Sequence, residues 1–277
     1  MAGSEGKKFY VFECEVDGCT AEFYLNDIPV IRRGNDIGRF YKGQSNELIR
    51  DGINEIAVIV HPGKTPAEAI AGDDGKRRQM ASDKASVSAA LAVYPFGAVA
   101  GGPDRTELFS LAWKGRSDDI PEIFPKVLSI QHDLGAIFGP WKWESLDPLT
   151  LDEGERAEIE KFLERLHLSL AAGDPELFIE LSRMRLDDTA RAYGLRPGQK
   201  EDMIRQVTRR DAARPWWGMQ PLLPDSFDFR LCGGNRLVQL IGKDWIPVLK
   251  ENPDEEDGVG TYSMLIGKVD GKWHIIR

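Results

Sequence analysis

The sequence predicts an α+β protein in which an N-terminal antiparallel β-sandwich precedes helices packed on a second antiparallel sheet. Three observations carry this. Residues 9–150 read as short strands broken by turn residues, the pattern turns helical after Leu149, and Asp270-Gly271 separates two strand-like runs near the end of the 277 residues. A two-residue Asp-Gly loop supplies the positive φ angles of a type I′ turn, which pairs Val269 with Lys272, Gly267 with His274 and Leu265 with Ile276. Both faces of this hairpin are apolar, with Tyr262, Met264, Ile266, Trp273 and Ile275 on one side and Leu265, Val269 and Ile276 beside His274 on the other. The sheet is therefore expected to be covered twice, its second face by the other domain, a second subunit or a foreign protein.

Residues 1–8 are expected to be a flexible N-terminus. A hairpin is predicted around Asp17-Gly18, with Val16 facing Cys19, Cys14 facing Ala21 and Phe12 facing Phe23 on its apolar side. That places Cys14 and Cys19 among small buried hydrophobes. Further strands are predicted at 29–32, 54–60, 86–93, 108–113, 127–132 and 141–145. On the last of these Trp141 and Trp143 alternate, so both would point to one face as an aromatic platform for a sugar or a partner.

Past Leu149 the apolar residues Ile159, Phe162, Leu163, Leu166 and Leu170 recur at helical spacing. Asp174-Pro175 suits the start of a second helix with Leu177, Phe178, Leu181 and Met184 inward, and Gly194 suits its end. A third helix follows Pro197-Gly198 with Met203, Ile204 and Val207 as its apolar positions, and Pro215-Trp-Trp-Gly-Met-Gln-Pro221 breaks it. Strands are then predicted at 227–231, 237–241, 245–249, 261–269 and 273–276.

Composition bounds the function classes. Hydrophobic residues make up 42% and charged residues 29%, which suits a folded globular chain of two domains. A net charge of −9 opposes a general phosphate-binding surface, so the clusters Arg32-Arg33, Lys76-Arg77-Arg78 and Arg209-Arg210 are read as solvated surface and no nucleic acid is expected. No run of apolar residues is long enough for a membrane span and no secretory signal is visible, so a cytoplasmic location is expected. Three cysteines without repeated spacing predict free thiols.

Two resemblances add to this. Gly43-Gln-Ser-Asn-Glu-Leu-Ile-Arg-Asp-Gly-Ile-Asn-Glu-Ile-Ala-Val-Ile-Val60, after the strand-turn-strand run Phe23-Tyr-Leu-Asn-Asp-Ile-Pro-Val30, resembles the sugar-binding-type sandwich of family-two glycoside hydrolases. It implies a galactose-binding-like β-sandwich over residues 9–150 and supplies no ligand residue. Helices followed by a sheet ending in Asp270-Gly-Lys-Trp-His-Ile-Ile276 resemble the nuclear-transport-factor-two-like (NTF2-like) fold, also called ketosteroid-isomerase-like or cystatin-like. For residues 151–277 this implies an α+β cone, in which a curved antiparallel sheet wraps around helices and the mouth can hold a small molecule.

Candidate chemistry is sparse. Asp228, Tyr193, Tyr262 and His274 have acid–base character, but no motif fixes a catalytic set of the ketosteroid-isomerase kind. Trp216, Trp217 and Trp245 are candidates for the cone mouth, and Tyr262 and His274 for the pocket wall, because adjacent tryptophans in a Pro- and Gly-bounded loop set large amphipathic rings beside a concavity. Gly63-Lys64-Thr65 lacks the earlier glycine of a phosphate loop, and Ser45 lacks the second glycine of a nucleophile elbow. The four histidines are scattered, Asp254–Asp257 lacks calcium-loop spacing, and neither metal nor cofactor is expected. The reading favours a binding or interaction protein over an enzyme, regulatory or immunity-type, with a protein partner or a homodimer. Its alternatives are a small-molecule enzyme or carrier that uses Trp216, Trp217, Tyr262 and His274, and carbohydrate binding through Trp141 and Trp143.

Overall fold

A computed structural model describes residues 8–34, 38–61, 85–115, 124–223, 226–242, 246–253 and 258–277. The phosphate-loop-like Gly63-Lys64-Thr65, the basic run 76–78, Trp245 and the acidic run 254–257 lie outside the described residues. Backbone contacts divide the chain into two compact units, Met1–Pro140 and Trp141–Arg277. Strands and helices segregate along the sequence, so the α+β class holds.

The first unit contains β1 (Lys8–Asp17), β2 (Thr20–Leu25), β3 (Ile28–Gly34), β4 (Phe40–Gln44), β5 (Ile53–His61), β6 (Ser86–Pro95), β7 (Thr106–Lys114) and β8 (Lys126–Asp133). They form two four-stranded antiparallel sheets, ordered β4-β1-β6-β7 and β3-β2-β5-β8. Strand alternation sends Phe12, Val16 and Leu91 of the first sheet and Phe23, Ile56 and Val58 of the second into one core. Asn26 and Asp27 both adopt positive φ, 57° and 62°, as the type I′ turn between β2 and β3 requires. Asn54, fully buried, joins three segments: its amide donates to Arg50 O and Gly52 O, while its Oδ1 accepts from the Asn26 side chain and the Arg50 N–H.

The expected hairpin at Asp17-Gly18 is corrected, because β1 and β2 lie in different sheets. Each already has two partners, β4 and β6 for β1, and β3 and β5 for β2, so neither offers the other a free edge. Phe12 and Phe23 still meet, edge to face at 6.3 Å between ring centres, but across the core and not side by side on one sheet. The inward faces of the two strands are the same in both arrangements, which is why alternation alone suggested a ladder. Cys14 and Cys19 are buried free cysteines, and burial first of all pushes their thiols up, to about 12 and about 11, as expected of small apolar side chains.

The second unit opens with a 3-10 turn at Lys142–Ser145. The strand expected there is absent, and Trp141 and Trp143 are buried at 1% and 2% exposure, so they form no surface platform. Trp141 is covered by arginines, the guanidinium of Arg191 lying 4.2 Å and that of Arg277 5.4 Å from the centre of its ring system, and Trp143 lies against Gly233.

Helix α1 (Glu153–Ala171) is capped by Asp152, whose side chain accepts from the Glu155 N–H, and it buries the five apolar residues its period marked. The single helix expected between Pro175 and Gly194 is two, α2 (Glu176–Leu181) and α3 (Arg183–Tyr193), which meet at the fully buried Ser182; Gly194 closes α3 at φ 62°. Helix α4 (Gln199–Ala212) turns Met203 and Val207 outward, against expectation, and buries Glu201, Thr208 and Asp211 instead. Polar residues face inward here because they pair there: Glu201 accepts from Arg183, and Asp211 from Arg210.

The strands β9 (Phe227–Cys232), β10 (Leu237–Gly242), β13 (Leu265–Val269) and β14 (Lys272–Ile275) form a sheet ordered β14-β13-β10-β9, and β11 (Leu249–Lys250) pairs with β12 (Thr261–Tyr262). The strand expected over 261–269 is thus divided between β12 and β13, and of the described residues 246–249 in the run expected at 245–249 only Leu249 enters a strand. The terminal hairpin follows its expected register, with Asp270 and Gly271 at φ 48° and 75°. One face, with Phe229, Val238, Leu240, Ile266, Trp273 and Ile275, joins the α1 residues in a common core. The other face needs no foreign protein where Gly267 and Gly233 lie. A methyl group on Gly267 would stand 2.8 Å from Leu146 Cδ1, and one on Gly233 3.3 Å from Trp143, so the segment entering this unit rests on its own sheet.

Arg277 Nη1 donates to Asp188 Oδ2 at 2.9 Å with both side chains about 95% enclosed, at 5% and 4% exposure. Removing one member of such a pair strands the other charge, which costs about 3–5 kcal/mol. Asp188→Ala is therefore expected to lower the unfolding free energy from urea titration by about that amount, seen as a lower midpoint, and an unchanged midpoint would show that the pair does not hold the end of β14 to α3.

Candidate functional site

The Trp-Trp loop forms one side of a cleft of about 510 Å³, lined by Arg210, Asp211, Arg214, Trp216, Trp217, Gly218, Glu251, Asn252, Gly258 and Gly260. The backbone explains why it sits there. After α4 the chain passes Pro215 and runs antiparallel beside β11: Met219 bridges Glu251, Gln220 N–H donates to Lys250 O and Asn252 N–H donates to Gly218 O. These bonds fix the floor, while Trp216 remains 48% exposed at the rim. Trp217 is held differently, its indole N–H donating to Ala171 O at the end of α1, at 3.2 Å.

Two of the glycines permit polar groups to lie on backbone. A methyl group on Gly260 would overlap the Glu251 carboxylate, and one on Gly218 would come within 2.6 Å of the Asn252 amide. Glu251 Oε1 accepts from the Tyr262 hydroxyl at 2.9 Å. Tyr262 in turn meets Phe178 edge to face at 5.8 Å and packs on the core, so one side chain ties the cleft to the interior. Burial pushes the Tyr262 phenol well above its ordinary value, and the charge of Glu251, its hydrogen bond and the charge of Asp211 add to the effect.

Asp211 is the second carboxylate. It accepts from Arg210 Nε at 2.9 Å and Nη2 at 3.2 Å, and lies 3.5 Å from Arg214 Nη2. Arg214 also stands over the Trp216 ring at 5.8 Å. The cleft therefore offers an aromatic face, two guanidiniums and two carboxylates, all suited to holding a polar ligand in a fixed orientation. Among the described residues no group of three or more His, Cys, Asp or Glu side chains is placed to hold a metal ion.

Of the residues expected to line a pocket, Trp216 and Trp217 do so, and Tyr262 reaches it through Glu251. His274 is not in the lining; it stands opposite Gly267 in the register, on the sheet face away from the Trp273 core. The position of the pocket also differs from a cone mouth, since the inner face of the four-stranded sheet is filled by Trp273, Ile275, Phe229 and the α1 residues. Asp228 is an exposed strand residue whose carboxylate accepts from the Phe229 N–H. Arg210, read as solvated surface, and Asp211, Arg214, Glu251 and Asn252, not singled out, complete the site. Their one sequence signal is the helix-end run Arg210-Asp211 with Arg214 a turn later, which sets three charges on one side of the chain.

No family model, curated protein or solved structure matches this chain. No helix among the described residues is long and apolar enough to cross a membrane.

With its proton held by burial and by Glu251, Tyr262 is expected to stay un-ionised through the ordinary range of a phenol. Absorbance at 295 nm between pH 9 and 11 should then be the same for the folded protein and for Tyr262→Phe. A loss of one tyrosinate equivalent in the variant would show that Tyr262 titrates normally and that its seat on Glu251 is wrong.

Proposed function

We propose that this chain is a cytoplasmic ligand-binding protein of two domains, a β-sandwich followed by an NTF2-like α+β domain, and that the ligand is a small polar molecule held at Trp216. The observation that carries the reading is the cleft itself. It joins a half-exposed indole to Asp211, a carboxylate 9% exposed and engaged by arginine, in a volume typical of small-molecule sites. An aromatic wall supplies contact area, and convergent charged groups supply orientation. The finer fold reading is supported by the two sheets that share one core in the first unit and by the order of helices then antiparallel sheet in the second. Buried free thiols favour the reducing compartment.

Interaction with a foreign protein draws less support, because its starting point was the uncovered second face of the terminal hairpin, where Leu146 and Trp143 of the same chain now lie. Sugar binding on a Trp141–Trp143 platform loses its rings to burial.

Ligand-observed NMR against a library of small polar compounds tests the proposal. Hits are expected whose signals are lost with Trp216→Ala, at unchanged circular dichroism. A library without hits, or hits that bind the variant equally, would remove the cleft as the functional site.

A further inference from the structure

We infer that β9 is a docking edge for a second copy of this chain, and that two molecules join their sheets β9 to β9 about a twofold axis through Phe229. The cleft takes no part in this. The edge itself, one hydrogen bond and the order of the side chains along β9 lead to it.

The sheet ends at β9 on one side and at β14 on the other. Helices α2 and α3 pack along β14. Among the described residues β9 is paired with β10 alone, from Phe227 to Cys232 and without a register shift. Edge strands are commonly shielded from further pairing by proline, lysine or a bulge, and Phe227-Asp-Phe-Arg-Leu-Cys232 has none of these.

The hydrogen bond shows which backbone groups face outward. Phe229 N–H donates to Asp228 Oδ1 at 2.8 Å, so β10 does not hold it. In an antiparallel ladder the N–H and C=O of one residue point to the same edge, and the direction alternates along the strand. Phe227, Phe229 and Leu231 therefore direct their backbone groups to the open edge. An antiparallel partner centred on Phe229 exchanges hydrogen bonds between the two Phe229 residues, and between Phe227 of each copy and Leu231 of the other.

The same register matches the side chains. A twofold axis perpendicular to the sheet keeps each face on its own side and sets Asp228 of each copy opposite Arg230 of the other. These are the closely spaced positions of the ladder, where side chains interact most. On the core face the two Phe229 side chains meet, and half-buried Phe227 meets half-buried Leu231. Sliding the partner by two residues sets Asp228 against Asp228 in one direction and Arg230 against Arg230 in the other, so charge selects this register. Arginine carries five donors, and Arg230 can take the carboxylate while keeping the contacts of its own chain. Asp228 caps the Phe229 N–H in the single molecule, and on pairing the facing carbonyl takes that donor while the carboxylate passes to Arg230 of the second copy.

Sedimentation velocity of the full chain between about 1 and 300 µM tests this. One short edge is a small interface, and a reversible dimer with a dissociation constant on the order of 10 µM is expected. Asp228→Arg and Arg230→Asp each set like charges opposite in both pairs, and each is expected to weaken the dimer about tenfold or more. The double variant restores opposite charges with the positions exchanged and is expected to recover the dimer. Amide exchange of the unaltered chain reads the same edge without a substitution: the Phe229 and Leu231 amides should gain protection as concentration rises. A monomer throughout the range, a dimer indifferent to both single reversals, a folded double variant as weak as the singles, or protection gained only away from β9 would each overturn the inference.

Discussion

The sheet β14-β13-β10-β9 has two apolar faces, and the need to cover both shapes the second unit. Exposed apolar area costs about 25 cal/mol per Å², so neither face of Leu237, Val238, Leu265, Ile266, Ile275 and Ile276 can be left to water. Helix α1 supplies Ile159, Phe162, Leu163 and Leu166 to one face. On the other, Trp143 lies within 3.3 Å of where a Gly233 side chain would start and Leu146 within 2.8 Å of where a Gly267 side chain would start. Trp141 is drawn into the same segment and becomes the surface on which Arg191 and Arg277 stack, with Asp188 to balance their charge.

Filling the inner face leaves the open space elsewhere. Where Trp273 and Phe229 meet α1 there is core, and the open space moves outward to the point where α4 ends and the chain pairs with β11. Loops and element ends carry recognition because their side chains are not consumed by packing. Glu251 and Asn252 leave β11 over Gly260 and Gly218, Asp211 leaves the last turn of α4 with Arg210 and Arg214 on its carboxylate, and Trp216 follows Pro215, half-exposed at the rim. Tyr262 connects these groups to Phe178, so the cleft is braced by the core.

The sequence was most legible where one local rule decided the outcome. Asp270-Gly271 specified its turn and register, and the spacing of Ile159 to Leu170 specified the buried face of α1. It was least legible where the answer depended on a partner distant in the chain. Phe12 and Phe23 have the same inward pattern in a hairpin and across two sheets, and only the claims of β4 and β6 on β1 separate the two. Trp141 and Trp143 alternate like strand residues, yet Trp141 lies under arginines 50 and 136 residues away in number, Arg191 and Arg277, and Trp143 lies against Gly233. Met203 and Val207 fit an inner face by period, but Glu201 and Asp211 pair with arginines and take it. At the site, the tryptophans were visible because they are bulky and adjacent. Glu251 was not, because its role comes from Tyr262 and Gly260 folding onto it.

The seven tryptophans make one measurement especially direct. In a ¹⁵N-labelled sample each indole N–H gives its own resonance, assignable by single substitution, and a small polar compound that binds in the library screen can be titrated while all are observed. Binding at the rim should shift the Trp216 and Trp217 resonances in a saturable way and leave Trp141, Trp143 and Trp273 in place. Shifts confined to the buried tryptophans, or no saturable shift at Trp216, would contradict a binding site at the end of α4.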